Sequence, residues 1–157
     1  MLEEHLSRWI KQTFLKEINP VLTGGGYPMF IEGAYRTTNQ VAAFYEFRFD
    51  GPFIKCLHSN NYFVEVELNI LIQAPIASDL YLIERMAGPV LTTLDRSFEI
   101  HRYGGGPDDD QSFIFCMTPK SGPREALKQS NFGQPEAVLK FQQTSIEAHY
   151  VGNYYGV

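Results

Sequence analysis

The sequence predicts an α+β domain in which two α-helices pack on one face of an antiparallel β-sheet. Residues 62–72 alternate strictly between apolar and polar side chains, which is typical of a strand with one buried face. Residues 41–50 alternate in the same way, and two segments with helical apolar spacing accompany these strands. The chain of 157 residues with 44% hydrophobic content fits a single domain spanning 1–157.

The alternation assigns side chains to the two faces of the sheet. The apolar set should form a shared core face, and the polar set should meet water or a partner. The predicted core face carries Tyr45, Phe47 and Phe49 from the first segment and Tyr62, Val64, Val66, Leu68, Ile70 and Ile72 from the second; the polar face carries Glu46, Arg48, Asp50, Glu65, Glu67 and Asn69.

The chain opens with an amphipathic helix, predicted over residues 2–18. Asn19-Pro20 should end it, because a residue before proline is disfavoured in the α region. A glycine turn and a strand at 29–36 follow. The alternating strands are expected to pair antiparallel through a connection at 51–61, where Gly51-Pro52 and Ser59-Asn60-Asn61 favour turns.

The second helix is predicted at 79–96, with Ser78 as its N-terminal cap and a kink or break at Gly88-Pro89. Strands at 97–103 and 112–117 come next. Prolines and glycines then interrupt residues 118–136, which predicts a long loop of the kind that is functional or disordered. A last strand is expected at 137–151.

Composition disfavours several classes of function. The formal charge is −5, from 13 basic and 18 acidic side chains, which argues against a surface built to neutralise phosphates and hence against sequence-specific DNA binding. The sequence contains no apolar run of membrane-spanning length and no secretion signal, so we expect a soluble protein. Apolar neighbours favour buried free thiols at Cys56 and Cys116 over a disulfide.

The residues that could carry chemistry do not form a recognisable motif. Asp108-Asp109-Asp110 lacks calcium-loop spacing, the four histidines lie in separate segments, and the glycine runs lack phosphate-loop signatures. Glu65 and Glu67 would stand about 7 Å apart on one strand, which resembles an acid/base pair, although such acids more often face a neighbouring arginine. We therefore predict no catalytic residue, no metal site and no cofactor.

The pattern and order of segments resemble those of tailed-bacteriophage tail terminators and neck proteins. The resemblance covers most of the chain and rests on an N-terminal helix LEEHLSRWIKQTFLKEI, a strand VEVELNILIQAP, Ser78-Asp79 opening a helix that leads into LTTLDRSFEIHRYG, and a late strand TSIEAHYVG. It implies a non-enzymatic virion protein that assembles in the host cytoplasm. In that family about six copies assemble into a ring, which ends the tail tube and joins it to the head connector.

The resemblance also implies partners. These are further copies of the chain in a hexameric ring, the tail-tube protein and head-completion or connector proteins, with DNA passing through the lumen without specific binding. Arg124 and Lys128 in the predicted loop are candidates for partner contacts, and Arg48, Glu65 and Glu67 are candidates for ion pairs between neighbouring copies.

Two alternatives remain open from the sequence. One is another tail-tube or baseplate subunit, which would differ in whether rings stack indefinitely. The other is a small ligand-binding α+β enzyme, with a pocket between the second helix and the sheet and with His101 and Asp110 at its mouth.

Overall fold

The computed structural model describes residues 2–31, 43–75, 81–104, 110–130 and 141–155. The fold is α+β, with two helices and a curled six-stranded sheet in these residues. The elements in chain order are α1 (Leu2–Thr23), β1 (Met29–Ile31), β2 (Phe44–His58), β3 (Asn61–Pro75), α2 (Leu82–Leu94), β4 (Phe98–His101), β5 (Phe113–Ser130) and β6 (Phe141–Tyr155).

The strands lie side by side in the order β1-β2-β3-β6-β5-β4. Among the described residues β1 runs parallel to β2, whereas the other neighbouring strands pair antiparallel. The predicted antiparallel pairing of β2 with β3 is confirmed, but the sheet as a whole is mixed.

The core face of β3 is as predicted. Val64, Val66, Leu68, Ile70 and Ile72 are each at most 1% exposed and belong to one apolar cluster with the buried stripes of α1 and α2. Aromatic rings fill the centre of that cluster. The ring centroid of Phe14 lies 4.8 Å from that of Phe98 and 5.2 Å from that of Tyr150.

Helix α1 does not end at Asn19-Pro20, so that prediction was wrong. The helix continues through Pro20 to Thr23, and the Gly24 N–H donates to the Pro20 carbonyl at 3.0 Å. Proline removes only one hydrogen bond at this point, and the added turn buries Leu22, which is 1% exposed. Burial of that side chain contributes more than the lost bond.

Strand β2 is also longer than predicted. Gly51-Pro52 was expected to turn the chain, but it forms a bulge inside a continuous strand and its peptide bond is cis. Gly51 has φ +98°, and a Cβ there would lie 2.9 Å from the backbone nitrogen of Phe53, so glycine is required. The expected turn at Ser59 and Asn60 is confirmed, and both residues have positive φ.

Helix α2 begins at Leu82, and the predicted cap Ser78 lies outside the described residues. The helix runs without a break through Gly88-Pro89 to Leu94, two residues short of the predicted end. Buried side chains before and after Pro89 keep both halves on the core, and the Tyr45 and Tyr150 hydroxyls donate to the carbonyls of Met86 and Leu94. These contacts offset the one backbone bond that proline removes.

The predicted loop at 118–136 is wrong for residues 118–130, which belong to β5, whereas 131–136 lie outside the described residues. Over 118–130 the strand pairs with β6, and register shifts follow Pro119, Ser121 and Glu125. Prolines and glycine are tolerated there because bulges absorb them and because, in the part of the chain that the structure describes, one side of the strand carries no ladder. Strand β6 starts at Phe141, and the predicted start at 137 lies outside the described residues.

Both cysteines are free, as predicted, but both are exposed, so the expectation of burial was wrong. Cys116 stands between the buried residues Phe115 and Met117, and strand alternation turns it to the opposite side. Cys56 lies near the β2–β3 turn, beyond the part of the sheet that the core covers.

Candidate functional site

The polar residues of three central strands lie together on the side of the sheet opposite the core. We call this surface the polar face. Four strands line a cavity of about 720 Å³ on this face, and the cavity is open to solvent. Register pairs Asp50 with Glu67, Arg48 with Asn69, Glu67 with His149 and Asn69 with Glu147. Three residues of β5 lie beside them, so the polar face is defined here as Arg48, Asp50, Glu65, Glu67, Asn69, Lys120, Ser121, Gly122, Glu147 and His149.

Glu65 is the most strongly paired acid on the polar face. Its Oε1 lies 3.2 Å from Lys120 Nζ and 2.7 Å from His149 Nε2. The hydrogen bond from Lys120 holds the pKa of Glu65 below its usual value, and the charges of Lys120 and His149 act in the same direction. Glu65 therefore remains ionised near neutral pH.

The imidazole of His149 lies between two carboxylates. Its enclosed Nε2 approaches Glu65 Oε1 without the alignment of a good hydrogen bond and lies 3.8 Å from Glu67 Oε1. The contact is thus mainly electrostatic and depends on protonation of the ring. The side chain of His149 is 25% exposed.

Of the predicted intersubunit ion-pair residues, Arg48, Glu65 and Glu67 do lie on one surface. Within a single chain, however, Arg48 Nε lies 3.2 Å from Glu46 Oε1, and Glu65 pairs with Lys120. Both contacts satisfy these charges without a neighbour. Ion pairs near a protein surface contribute little to stability, so these groups can exchange partners at small cost.

Arg124 and Lys128 were predicted to lie in a loop, and they lie instead on strand β5. Their backbone register places them beside Glu147 and Thr144 of β6. Among the described residues, no strand pairs with the other side of β5 at these two positions.

Acidic groups predominate in the cavity. Asp50, Glu67 and Glu147 line it, together with the cation Arg48 and the titratable His149. Such a lining disfavours phosphate-bearing ligands because like charges repel. Within the described parts of the chain, no three histidine, cysteine or carboxylate side chains are grouped as metal ligands would be.

The alternative site with His101 and Asp110 does not coincide with this cavity. The ring of His101 stacks on Tyr103 with centroids 5.4 Å apart, and its Nδ1 lies 3.0 Å from the Gln111 carbonyl. Asp110 accepts a hydrogen bond from the Ser112 N–H at 3.0 Å, and bonding from Ser112 lowers the pKa of that carboxyl group. Both residues thus bond locally around the turn between β4 and β5.

Sequence reasoning missed Lys120, Ser121 and Gly122 as residues of the polar face. Pro119 and Pro123 flank them and hide the strand alternation that would have identified them. The detectable signal was on the opposite strand, where His149 alternates with the apolar residues Ala148 and Tyr150.

No protein-family model matches the chain, and no curated protein matches it either. Neither helix in the described residues combines the length and apolar character needed to cross a membrane.

Proposed function

We propose that the chain is a non-enzymatic structural subunit of the tailed-bacteriophage virion. Copies would form a ring at the head–tail junction that terminates the tail tube and joins it to the neck. The observation that carries the proposal is the acid-rich, curved polar face across four strands. The resemblance in the order and pattern of segments supplies the class of assembly.

The polar face has the properties that a DNA conduit needs. A lumen must let the duplex slide, and acidic side chains keep phosphates from condensing on the wall. In the proposed ring this face points to the lumen, and both helices lie on the outward side of the sheet. Asp50 and Glu67 then provide negative charge at the wall.

The lowered pKa of Glu65 disfavours a role for this residue as a general acid. A general acid needs a raised pKa to hold its proton near neutral pH. Glu65 is shifted in the opposite direction by its hydrogen bond with Lys120. It is therefore suited to holding a fixed charge pattern.

The proposed partners follow from the same arrangement. About six copies close the ring through a heterologous interface, in which two different surfaces of the chain meet. Arg124 and Lys128, on the outermost strand, belong to one of these surfaces. Arg48, Glu65 and Glu67 face the lumen in this arrangement, and they form ion pairs between copies where the polar faces of adjacent copies meet. The axial ends of the ring contact the tail-tube protein and the head connector.

The proposal is tested by the mass and shape of the purified protein. Light scattering after size exclusion, at low and moderate salt, and negative-stain microscopy are carried out with and without purified tail tubes. A ring of about six chains of 17.9 kDa, formed alone or on the tube end, supports the proposal. Indefinite stacking would instead indicate a tube subunit. A strict monomer that ignores tubes and is stabilised by a small molecule overturns the proposal.

The role of Glu67 in closing the ring is tested by charge reversal. Glu67→Lys should reduce ring formation at low salt, because it places a cation beside His149 and removes an acid from the interface. Glu99→Lys makes the same charge change at an exposed position on β4 and should leave the ring intact. Equal ring formation by both variants and the wild type would contradict the ion-pair assignment.

A further inference from the structure

Two outer strand segments of the described sheet are covered. Residues 45–47 of β2 are paired with β1. The outer edge of β4 is covered by α1, where the Thr13 hydroxyl accepts from the His101 N–H at 3.2 Å and lies 3.3 Å from the His101 carbonyl oxygen. Satisfied backbone groups make these segments unavailable to another strand.

The outer side of β5 over 118–123 is protected in a different way. Pro119 and Pro123 lack N–H donors, Lys120 carries charge, and register shifts bend the strand. These are the features by which edge strands avoid unwanted pairing. Residues 124–130 of the same strand contain no proline.

Residues 53–58 of β2 show less such protection, with one lysine, Lys55, among mainly apolar side chains. The segment contains no proline, and 53–56 pair with β3 in unbroken register before a shift at Leu57. Among the described residues no strand lies on its other side. Phe53 and Leu57 are 51% and 49% exposed. An apolar, exposed edge of this kind is a template for strand addition.

We infer that residues 53–58 of β2 accept residues 124–130 of β5 from a second copy of the chain, so that the sheet continues from subunit to subunit. This inference rests on the proposed ring and names its lateral interface. A head-to-tail ring needs two different surfaces. Among the described residues these two segments extend past the short strands β1 and β4, on opposite sides of the sheet.

Strand direction and length agree with this pairing. β2 runs antiparallel to β3, β3 to β6, and β6 to β5, so β2 and β5 of one chain run in opposite directions. Rotation about the ring axis preserves the direction of strands that run along that axis, as they do where one sheet continues around the ring. The neighbouring β5 therefore meets β2 antiparallel. The two segments have similar length, and the proline-free part of β5 supplies every backbone N–H. The pairing also brings Arg124 and Lys128 to the interface.

Native Cys56 provides a direct test, because it lies within the accepting segment and is exposed. In a Cys116→Ser background, single cysteines are introduced at Glu125, Leu127 or Gln129, and the assembled protein is oxidised. Strand neighbours bring Cα atoms to about 5.5 Å, within the range of a disulfide. At least one variant should give a ladder of covalent multimers on a non-reducing gel.

The control is Glu99→Cys in the same background, which places the second thiol on the covered strand β4 and should give no ladder. If rings form by light scattering but none of the three variants cross-links, the pairing is overturned while the ring stands. Dimers through Cys56 alone, without a second introduced cysteine, would show a two-fold pairing of β2 with β2 and also overturn the inference. A protein that stays monomeric with tubes overturns both the inference and the proposed function.

A second variant tests the edge without oxidation. Leu57→Lys adds a charge to the accepting segment and should weaken ring assembly about tenfold, whereas Val21→Lys, at an exposed position on α1, should not. Both positions are exposed, so both variants should fold. Unchanged assembly of Leu57→Lys overturns the inference.

Discussion

At the scale of single residues, two buried tyrosines connect the sheet to α2. The Tyr45 hydroxyl donates to the Met86 carbonyl at 2.9 Å, and the Tyr150 hydroxyl donates to the carbonyl of Leu94, the last residue of the helix. Both phenols are therefore satisfied as neutral donors. Burial raises the pKa of Tyr45 to about 12, and it raises that of Tyr150 as well.

This arrangement predicts a loss of stability at alkaline pH. Tyr45 ionises near pH 10 in the unfolded chain but only near 12 in the folded protein, so the folded state holds the proton more tightly. The stabilisation is complete below pH 10, and it decreases by about 1.4 kcal/mol per pH unit between 10 and 12. Tyr45→Phe should make the free energy of unfolding, measured by urea titration at pH 8 to 12, fall less steeply in that window.

Lysines titrate in this pH range in both the wild type and the variant. A difference between their slopes of unfolding free energy against pH is therefore due to Tyr45. At pH 8 the variant should lose about 1 kcal/mol, the usual contribution of one hydrogen bond. The same alkaline slope in variant and wild type would show that Tyr45 is not the group responsible.

At the scale of elements, helix α1 has a final turn that the sequence did not predict. Leu22 is buried in that turn, whereas its neighbour Val21 is 37% exposed. Leu22→Ala should lower the free energy of unfolding by about 2–3 kcal/mol through lost burial and the cavity it leaves. Val21→Ala, the matched control, should change it by less than about 0.5 kcal/mol. Chemical denaturation measures both, and equal effects would mean that the turn after Pro20 does not pack on the core.

The predictability of each element depended on how regular its pattern is. β3 was predicted with its faces because Val64 to Ile72 alternate without interruption. β5 was predicted only to Met117, since Pro119 and Pro123 imitate a loop. Proline is tolerated in a strand that is hydrogen-bonded to a neighbour on one side only. The number of neighbours that a strand has is a property of the whole sheet and not of the local sequence.

For the candidate site, the sequence predicted which residues share a face but not which residues contact each other. Alternation alone brought Arg48, Glu65 and Glu67 to one face. Their actual partners could not be deduced, because the contact of Lys120 with Glu65 requires β5 to pair with β6 across a segment that reads as a loop. Long-range pairing of this kind has no local signature in a single sequence.

At the scale of the whole molecule, the net charge is negative and the acidic side chains are unevenly distributed. The formal charge is −5, and Asp50, Glu67 and Glu147 share one cavity on the polar face. In the proposed ring this concentration faces the DNA. DNA binding by the assembled protein should therefore change more when one charge on the polar face is altered than when a charge elsewhere is altered.

This expectation can be measured with Asp50→Lys, which converts an exposed acid of the cavity into a cation. The assembled wild-type protein should bind duplex DNA too weakly to detect near 150 mM salt, because it offers no row of cations to displace counterions. Asp50→Lys should bind DNA with a stronger salt dependence, since each new phosphate contact steepens the slope of log K against log salt by about 0.9. Glu99→Lys has the same net charge but lies on β4, away from the cavity, and should bind much less. If the two variants bind DNA equally, net charge alone governs the interaction, and the polar face does not line the path of the DNA.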